Sequence, residues 1–264
     1  MSTNQSSVTN VLSAAGQPQG ARAPLGGSAV REAFSKSGVA TNVGALIFDM
    51  DGTMIDSMAS HAKSWVAFVQ QHGIEIDIPD LMRRTTGRTG AECMRELFQR
   101  DMTDAEAWGY IAIKEQLYRD LFAPIFAEVV GFKQFAAQAL QRGLKLGVGT
   151  AGDRHNIAFA MQRLQLPVPP HAMVGGDEGL PGKPQPAIFL EAARRMGIRP
   201  EDCIVFEDAP LGIEAARRAG MRAVAICTSH RAEELAGPHV IAAAGNYLEL
   251  IESKFLETLH VATA

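Results

Sequence analysis

Leu46-Ile47-Phe48-Asp49-Met50-Asp51-Gly52-Thr53-Met54-Ile55-Asp56 joins an apolar run to a loop of carboxylates. The run from Ala45 to Phe48 reads as a strand buried on both faces, the pattern of a strand inside a parallel sheet. Asp49 and Asp51 fall where that strand gives way to a loop, and Gly52 permits backbone angles that a Cβ resists. Ligands of open parallel sheets bind outside the carboxyl ends of the strands. Two acids there suit a division of labour, one attacking or binding a metal while the other moves a proton. A lone Asp after a strand is more often a helix N-cap or a turn former. Two flanking one position, followed by Gly-Thr and a third Asp, are harder to assign that way.

After Asp56 the pattern turns helical. Asp56 or Ser57 can cap a helix through Gln71, and Pro79-Asp80 opens a shorter one that Gly87-Arg88-Thr89-Gly90 breaks. A further helix is expected from about Ala91 to Gln99. Thr103-Asp104-Ala105-Glu106 reads as a capping box for a long helix through Leu121. From Gly131 helices and strands alternate: strands at Leu144 to Gly149, Met173-Val174, Cys203 to Phe206 and Ala223 to Cys227, an edge strand at Val240 to Ala242, and a closing helix from Tyr247 to Leu259. That alternation predicts an α/β fold, a Rossmann-like parallel sheet with helices on both faces. The helical block is then an insertion after the first strand. The expected division is a tail over 1–41, a core over 42–56 and 129–264, and a helical cap domain over 57–128.

Composition narrows the function. The chain has 264 residues, 47% of them hydrophobic, and a formal net charge of −4. That supports a sizeable core and, with no strongly basic run, argues against nucleic acid as a partner. No apolar run approaches the ~20 residues that span a bilayer. Residues 1–41 are rich in Ser, Asn, Gln, Gly and Ala and lack a signal-peptide pattern; most are expected to be disordered, with one short helix allowed from Ala29 to Ser37. Cys93, Cys203 and Cys227 have no metal-ligand spacing. Cys203 and Cys227 read as buried thiols, which suits a reducing, cytoplasmic setting.

The other predicted strands also end in polar residues. Thr150-Ala151-Gly152 offers a hydroxyl and backbone amides at a helix start, an anion site or a plain N-cap. Gly182-Lys183-Pro184 fixes a lysine between turn residues, where it is either solvated or set against a phosphate. Glu207-Asp208 places adjacent acids at a strand end; with Asp49 they form a hard-oxygen set suited to Mg²⁺.

FDMDGTMIDS, GTAGD, GKPQP and VFEDAPLGIEAA, in that order, resemble the four motifs of the haloacid dehalogenase-like superfamily, on its β-phosphoglucomutase and phosphoglycolate phosphatase-like branch, over about Val43 to Leu250. The resemblance implies a C1-type helical cap and a Mg²⁺-dependent phosphatase acting on a small phosphate ester, a sugar phosphate or phosphoglycolate. A sugar phosphomutase is the alternative. It implies Asp49 as nucleophile and Asp51 as general acid/base, protonated at rest within a crowded carboxylate cluster. Asp49, the Asp51 carbonyl and Asp208 would hold the metal, with Glu207 directly or behind them. Thr150, Ala151, Gly152 and Lys183 would hold the phosphoryl group, with Thr53, His61 and Arg88 toward the substrate. Lys114 and Tyr118 read more readily as facing away from the site than into it. The mutase pattern carries an Arg where Gly90 aligns, which weakens that alternative. A phosphoacceptor signalling module would need neither Asp51 nor a lid. A monomer or weak homodimer without membrane partners is expected.

Overall fold

The computed structural model describes residues 42–261. Six strands form one parallel sheet: β2 (Ala45–Phe48), β3 (Lys145–Gly149), β4 (Ala172–Val174), β5 (Cys203–Glu207), β6 (Arg222–Ile226) and β7 (Val240–Ala244), in the order β4-β3-β2-β5-β6-β7. Every residue of β2 is buried, because it lies mid-sheet with helices on both faces. A separate two-stranded ladder, β1 (Asn42–Val43) with β8 (His260–Val261), was not foreseen; two-residue strands leave no periodicity to read.

One face of the sheet is covered by α5 (Phe132–Gln141), α6 (Arg154–Leu164) and α9 (Tyr247–Glu252), the other by α7 (Ala187–Met196) and α8 (Pro210–Arg218). Phe48, Phe132, Phe135, Phe206 and Tyr247 stack on the first face with ring centroids 4.8–6.2 Å apart. The closing helix stops at Glu252, and Lys254 in the left-handed region (φ 58°) redirects the chain into a 3-10 turn, Phe255–Thr258.

Between β2 and α5 lie α1 (Met58–Gln71), α2 (Ile78–Thr85), α3 (Gly90–Phe98) and α4 (Asp104–Phe122). They pack around a core of their own, with Trp65, Phe68, Leu81, Met94, Leu97 and Ile111 buried together. The two chain segments entering and leaving this block are tied side by side: Asp56 N–H donates to Ala127 O and Val129 N–H to Met54 O, both at 3.0 Å.

Caps differ from the sequence reading in two places. Thr103 accepts from Glu106 N, but the Glu106 carboxylate pairs with Arg100, so the expected box stays open. The closed box is at Thr89 and Glu92, starting α3. Ser57 occupies the N-cap position of α1 with helical backbone angles (φ −104°, ψ −14°) and no side-chain cap bond; its hydroxyl donates to Asp51. The expected tail disorder and its short helix lie outside the described residues.

Candidate active site

Register brings the carboxylates together. Phe48 pairs with Phe206 across β2 and β5 and with Val148 across β2 and β3. The next residues along therefore set Asp49 beside Glu207, with Thr150 just past the end of β3. Asp49, Glu207 and Asp208 are buried, and each offers an oxygen within 4.8 Å of the others. Lys183 reaches into this cluster from the loop before α7, donating to Asp49 Oδ1 and Glu207 Oε1 at 2.5 Å each. The second Glu207 oxygen accepts from the backbone N–H groups of Asp208 and Ala209 at 2.9 Å. Glu207 thus has both oxygens engaged by protein donors.

One ammonium cannot neutralise three buried carboxylates. Burial pushes Asp49 up to about 8; Lys183 pulls against it while Glu207 adds to it. Asp208 is raised well above the usual carboxylate range by burial and then by Glu207 and Asp49. Burial works to lower Lys183, yet Asp49 and Glu207 carry it above its ordinary value. The group lacks positive charge. Asp208 Oδ2 is buried without a hydrogen-bond partner. Gly52, at φ 78°, leaves that oxygen room, since a Cβ there would sit 2.2 Å from it. Hard oxygen donors, excess negative charge and an orphaned carboxylate oxygen fit a divalent cation.

Asp51 belongs to a different set. Its Oδ1 accepts from Ser57 Oγ at 2.6 Å and Tyr118 Oη at 3.1 Å, with His61 Nε2 at 3.1 Å in a contact whose angle falls short of a hydrogen bond. Burial alone would raise Asp51, but His61, Ser57 and Tyr118 outweigh it and lower the carboxyl to about 2. The expectation of a resting proton held by carboxylate crowding is therefore corrected, because the side chain faces donors and not the other acids. The His61 ring stacks on Tyr118 at 3.7 Å, and its Nδ1 lies 2.8 Å from Lys114 Nζ.

The cleft between helical block and sheet is lined by Asp49, Asp51, His61, Arg88, Thr150, Ala151, Gly152, Lys183, Glu207 and Asp208, so nearly all residues expected at the site converge on it. Thr150 Oγ1 accepts from Gly152 N–H at 3.0 Å, which leaves its own hydroxyl proton for a ligand. Arg88 lies at the rim, half-exposed, 3.8 Å from Glu96. Thr53 departs from expectation: it is fully buried, its hydroxyl has no hydrogen-bond partner and it does not line the cleft.

The sequence reading misplaced two residues and left others out of the site. Lys114 and Tyr118, expected to face away, are buried and turned toward the site. Glu115, Asn156 and both tryptophans of the chain, Trp65 and Trp108, also line the cleft. A signal existed in α4: Ile111, Lys114, Glu115 and Tyr118 fall on one face at helical spacing and are all buried.

Comparison with known proteins follows the same lines. The family profile described as haloacid dehalogenase-like hydrolase matches residues 43–220. The validoxylamine A 7'-phosphate phosphatase of Streptomyces hygroscopicus subsp. limoneus is 32% identical over 74% of this chain and 91% of its own length. The fructose-1-phosphate phosphatase of Escherichia coli (strain K12) is 33% identical over 68% and 94%. The β-phosphoglucomutase of Bacillus subtilis (strain 168) is 31% identical over 69% and 82%. A solved hydrolase from Pseudomonas syringae superposes with a TM-score of 0.71, covering 79% of this chain and 96% of that one at 23% identity. Among the described residues no helix is long and apolar enough to cross a membrane.

Proposed function

The chain belongs to the haloacid dehalogenase-like hydrolase family, and on that premise we propose that it is a Mg²⁺-dependent phosphatase of sugar-like phosphate esters working through an aspartyl phosphate. The observation that carries the reading is the buried Asp49, Lys183, Glu207 and Asp208 cluster with its deficit of positive charge. Asp49 and Asp208 would hold the cation, with the Asp51 carbonyl beside them. Glu207, both of whose oxygens are engaged by Lys183 and two amides, would chiefly hold the lysine, behind the other two acids. Bound there, Mg²⁺ would screen charge developing on the phosphoryl oxygens.

In this reading Asp49 attacks phosphorus, forming the Asp49–phosphorus bond as the ester oxygen leaves. Lys183 fixes Asp49 and balances charge on the transferring group. Asp51 gives a proton to the departing alcohol and later takes one from the attacking water. Ser57, His61 and Tyr118 hold it ionised at rest and in place, so the proton it gives up arrives with the substrate, whose phosphate monoester carries one in its monoanion. Thr150 and the amides after it take phosphoryl oxygens. The helical block acts as a cap, excluding bulk water from the closed site.

The cap side of the cleft favours a ring-bearing substrate over a two-carbon acid. Trp65, Trp108, Met58, Met82 and Ile111 form an apolar wall suited to the flat face of a sugar, while Arg88 at the rim serves selection. Gly90 supports a phosphatase over a mutase: a Cβ there would meet Ile111 Cγ1 at 2.4 Å, so the arginine of the mutase pattern does not fit. The test is incubation with β-glucose 1-phosphate and Mg²⁺, with and without catalytic glucose 1,6-bisphosphate, beside a panel of sugar phosphates and phosphoglycolate. Phosphate release that favours sugar phosphates supports the reading. Glucose 6-phosphate forming faster than inorganic phosphate would overturn it.

A further inference from the structure

α4 carries two polar rungs one residue apart. Lys114 and Tyr118 reach the Asp51 side of the cleft. Glu115 and Arg119 reach the first turn of α6, directly after the Thr150 loop. There they grip one side chain, Asn156, from both ends: Asn156 Nδ2 donates to Glu115 Oε2 at 2.6 Å, and Arg119 Nη1 donates to Asn156 Oδ1 at 2.8 Å. Asn156 is 1% exposed and Glu115 8%. The other Glu115 oxygen accepts from Lys114 Nζ at 2.9 Å.

A continuous path results, running from Asn156 through Glu115, Lys114 and His61 to Asp51, with steps of 2.6, 2.9, 2.8 and 3.1 Å. An ammonium offers only donors, so His61 Nδ1 accepts from Lys114 and the remaining ring proton sits on Nε2, facing Asp51. Glu115 stays ionised: burial acts to raise it, but the charge and hydrogen bond of Lys114, with the hydrogen bond from Asn156, hold it below the usual range. A buried Glu–Lys pair is weak support for stability by itself, because desolvation offsets most of its attraction. Here the pair sits where the helical block meets the sheet domain, and its only described partner from the sheet side is Asn156.

We infer that Glu115 and Asn156 are positioning residues: their contact, made only when the helical block lies against α6, sets Lys114 and His61 so that Asp51 is aligned for proton transfer. Closure is thereby read out at the acid/base, and the phosphate loop and Asp51 assemble together. The inference rests on the role proposed for Asp51.

The test compares two substrates in the first turnover, where leaving-group release reports only the step that needs a proton. A sugar phosphate releases an alkoxide unless protonated, whereas an aryl phosphate such as p-nitrophenyl phosphate releases a stable anion. General acid catalysis contributes about 10²–10⁴-fold. Mispositioning the acid by Asn156→Asp, which sets a carboxylate against Glu115, is expected to slow sugar release about 10- to 100-fold and aryl release far less. Glu115→Gln should act in the same direction more mildly, and carries the comparison should Asn156→Asp not fold. Combining the two restores each hydrogen bond with reversed polarity: the new amide donates to the new carboxylate, still accepts from Lys114, and Arg119 keeps its partner. Most of the lost rate should return in the double variant.

Equal losses on both substrates, no loss, or no rescue in a folded double variant would overturn the inference. Asp51→Asn serves as the benchmark. If it too fails to slow the sugar substrate selectively, the acid/base reading falls. If it succeeds where the Asn156 and Glu115 variants do not, only the positioning role is lost.

Discussion

Gly90→Ala tests the close approach that shapes the cleft. Gly90 begins α3, and a Cβ built there would lie 2.4 Å from Ile111 Cγ1 and 3.0 Å from its Cδ1. Ile111 is 3% exposed and its Cβ lies 3.3 Å from the same point, so the side chain has little freedom to yield. Two effects compete. Alanine in place of glycine in a helix gains roughly 0.5–1 kcal/mol from backbone entropy and propensity. Forcing a methyl into packed core costs about 1–3 kcal/mol. The clash wins, and a net loss of about 1–2 kcal/mol is expected. At about 2–4 °C per kcal/mol for a chain of this size, Tm falls roughly 2–8 °C. Ile111→Ala removes both clashing atoms. In that background, itself destabilised by about 2–5 kcal/mol, Gly90→Ala becomes neutral or stabilising. Urea denaturation of the four proteins measures the reversal. The same loss in both backgrounds, or none in either, refutes the contact and with it the reason an arginine is excluded here.

Asp208→Ala should abolish Mg²⁺ binding while the fold persists. Wild-type Tm should rise with Mg²⁺, since an ion held by Asp49 and Asp208 would bind only the folded state, whereas the variant's Tm should not respond; an undiminished Mg²⁺-dependent shift removes Asp208 from the metal site. Lys183→Met strips the cluster of its one cation, and breaking such a buried pair costs about 3–5 kcal/mol. Its Tm should fall by roughly 6–20 °C, and a Tm within a degree of wild type contradicts the charge deficit. Burial pushes the Cys93 and Cys203 thiols up to about 12, so at pH 8 only about one in ten thousand of each is thiolate. The sign is that reactivity grows with pH toward that value, and at pH 8 a thiol reagent should label these two only after unfolding. Rapid labelling of either in native protein shows the burial to be wrong.

The core of the site was legible because parallel strands deliver their chemistry at their carboxyl ends. Once Ala45 to Phe48 is read as a buried strand, Asp49, Thr150 and Glu207-Asp208 fall at one edge, and the β2–β5 register places them side by side. Long-range geometry was not legible. Whether Asp51 faces the carboxylates or His61 depends on how the helical block docks, and that contact joins residues 67 positions apart in Tyr118 and Asp51. Beyond their spacing on one face of α4, Lys114 and Tyr118 carry no local signal of which way they face; Lys114 is buried over the Trp65 and Tyr118 rings, and Tyr118 reaches Asp51. Thr53 erred the other way. The family resemblance implied a substrate contact, but the Thr53 side chain is fully buried beside the turn at Gly52. Ser57 was legible as a cap by residue type, yet its backbone is already helical (φ −104°, ψ −14°), not extended as a capping side chain needs, and its hydroxyl instead donates to the Asp51 carboxylate.

The measurement closest to the central claim is trapping of the covalent intermediate. Wild-type protein turning over a sugar phosphate with Mg²⁺ is quenched in acid within the first turnover, digested and mapped by mass spectrometry. One phosphoryl group on the peptide carrying Asp49, removed by hydroxylamine as an acyl phosphate and absent from Asp49→Asn, is the predicted result. Turnover without any adduct, an adduct on another residue, or wild-type rates from a folded Asp49→Asn protein would contradict Asp49 as the nucleophile.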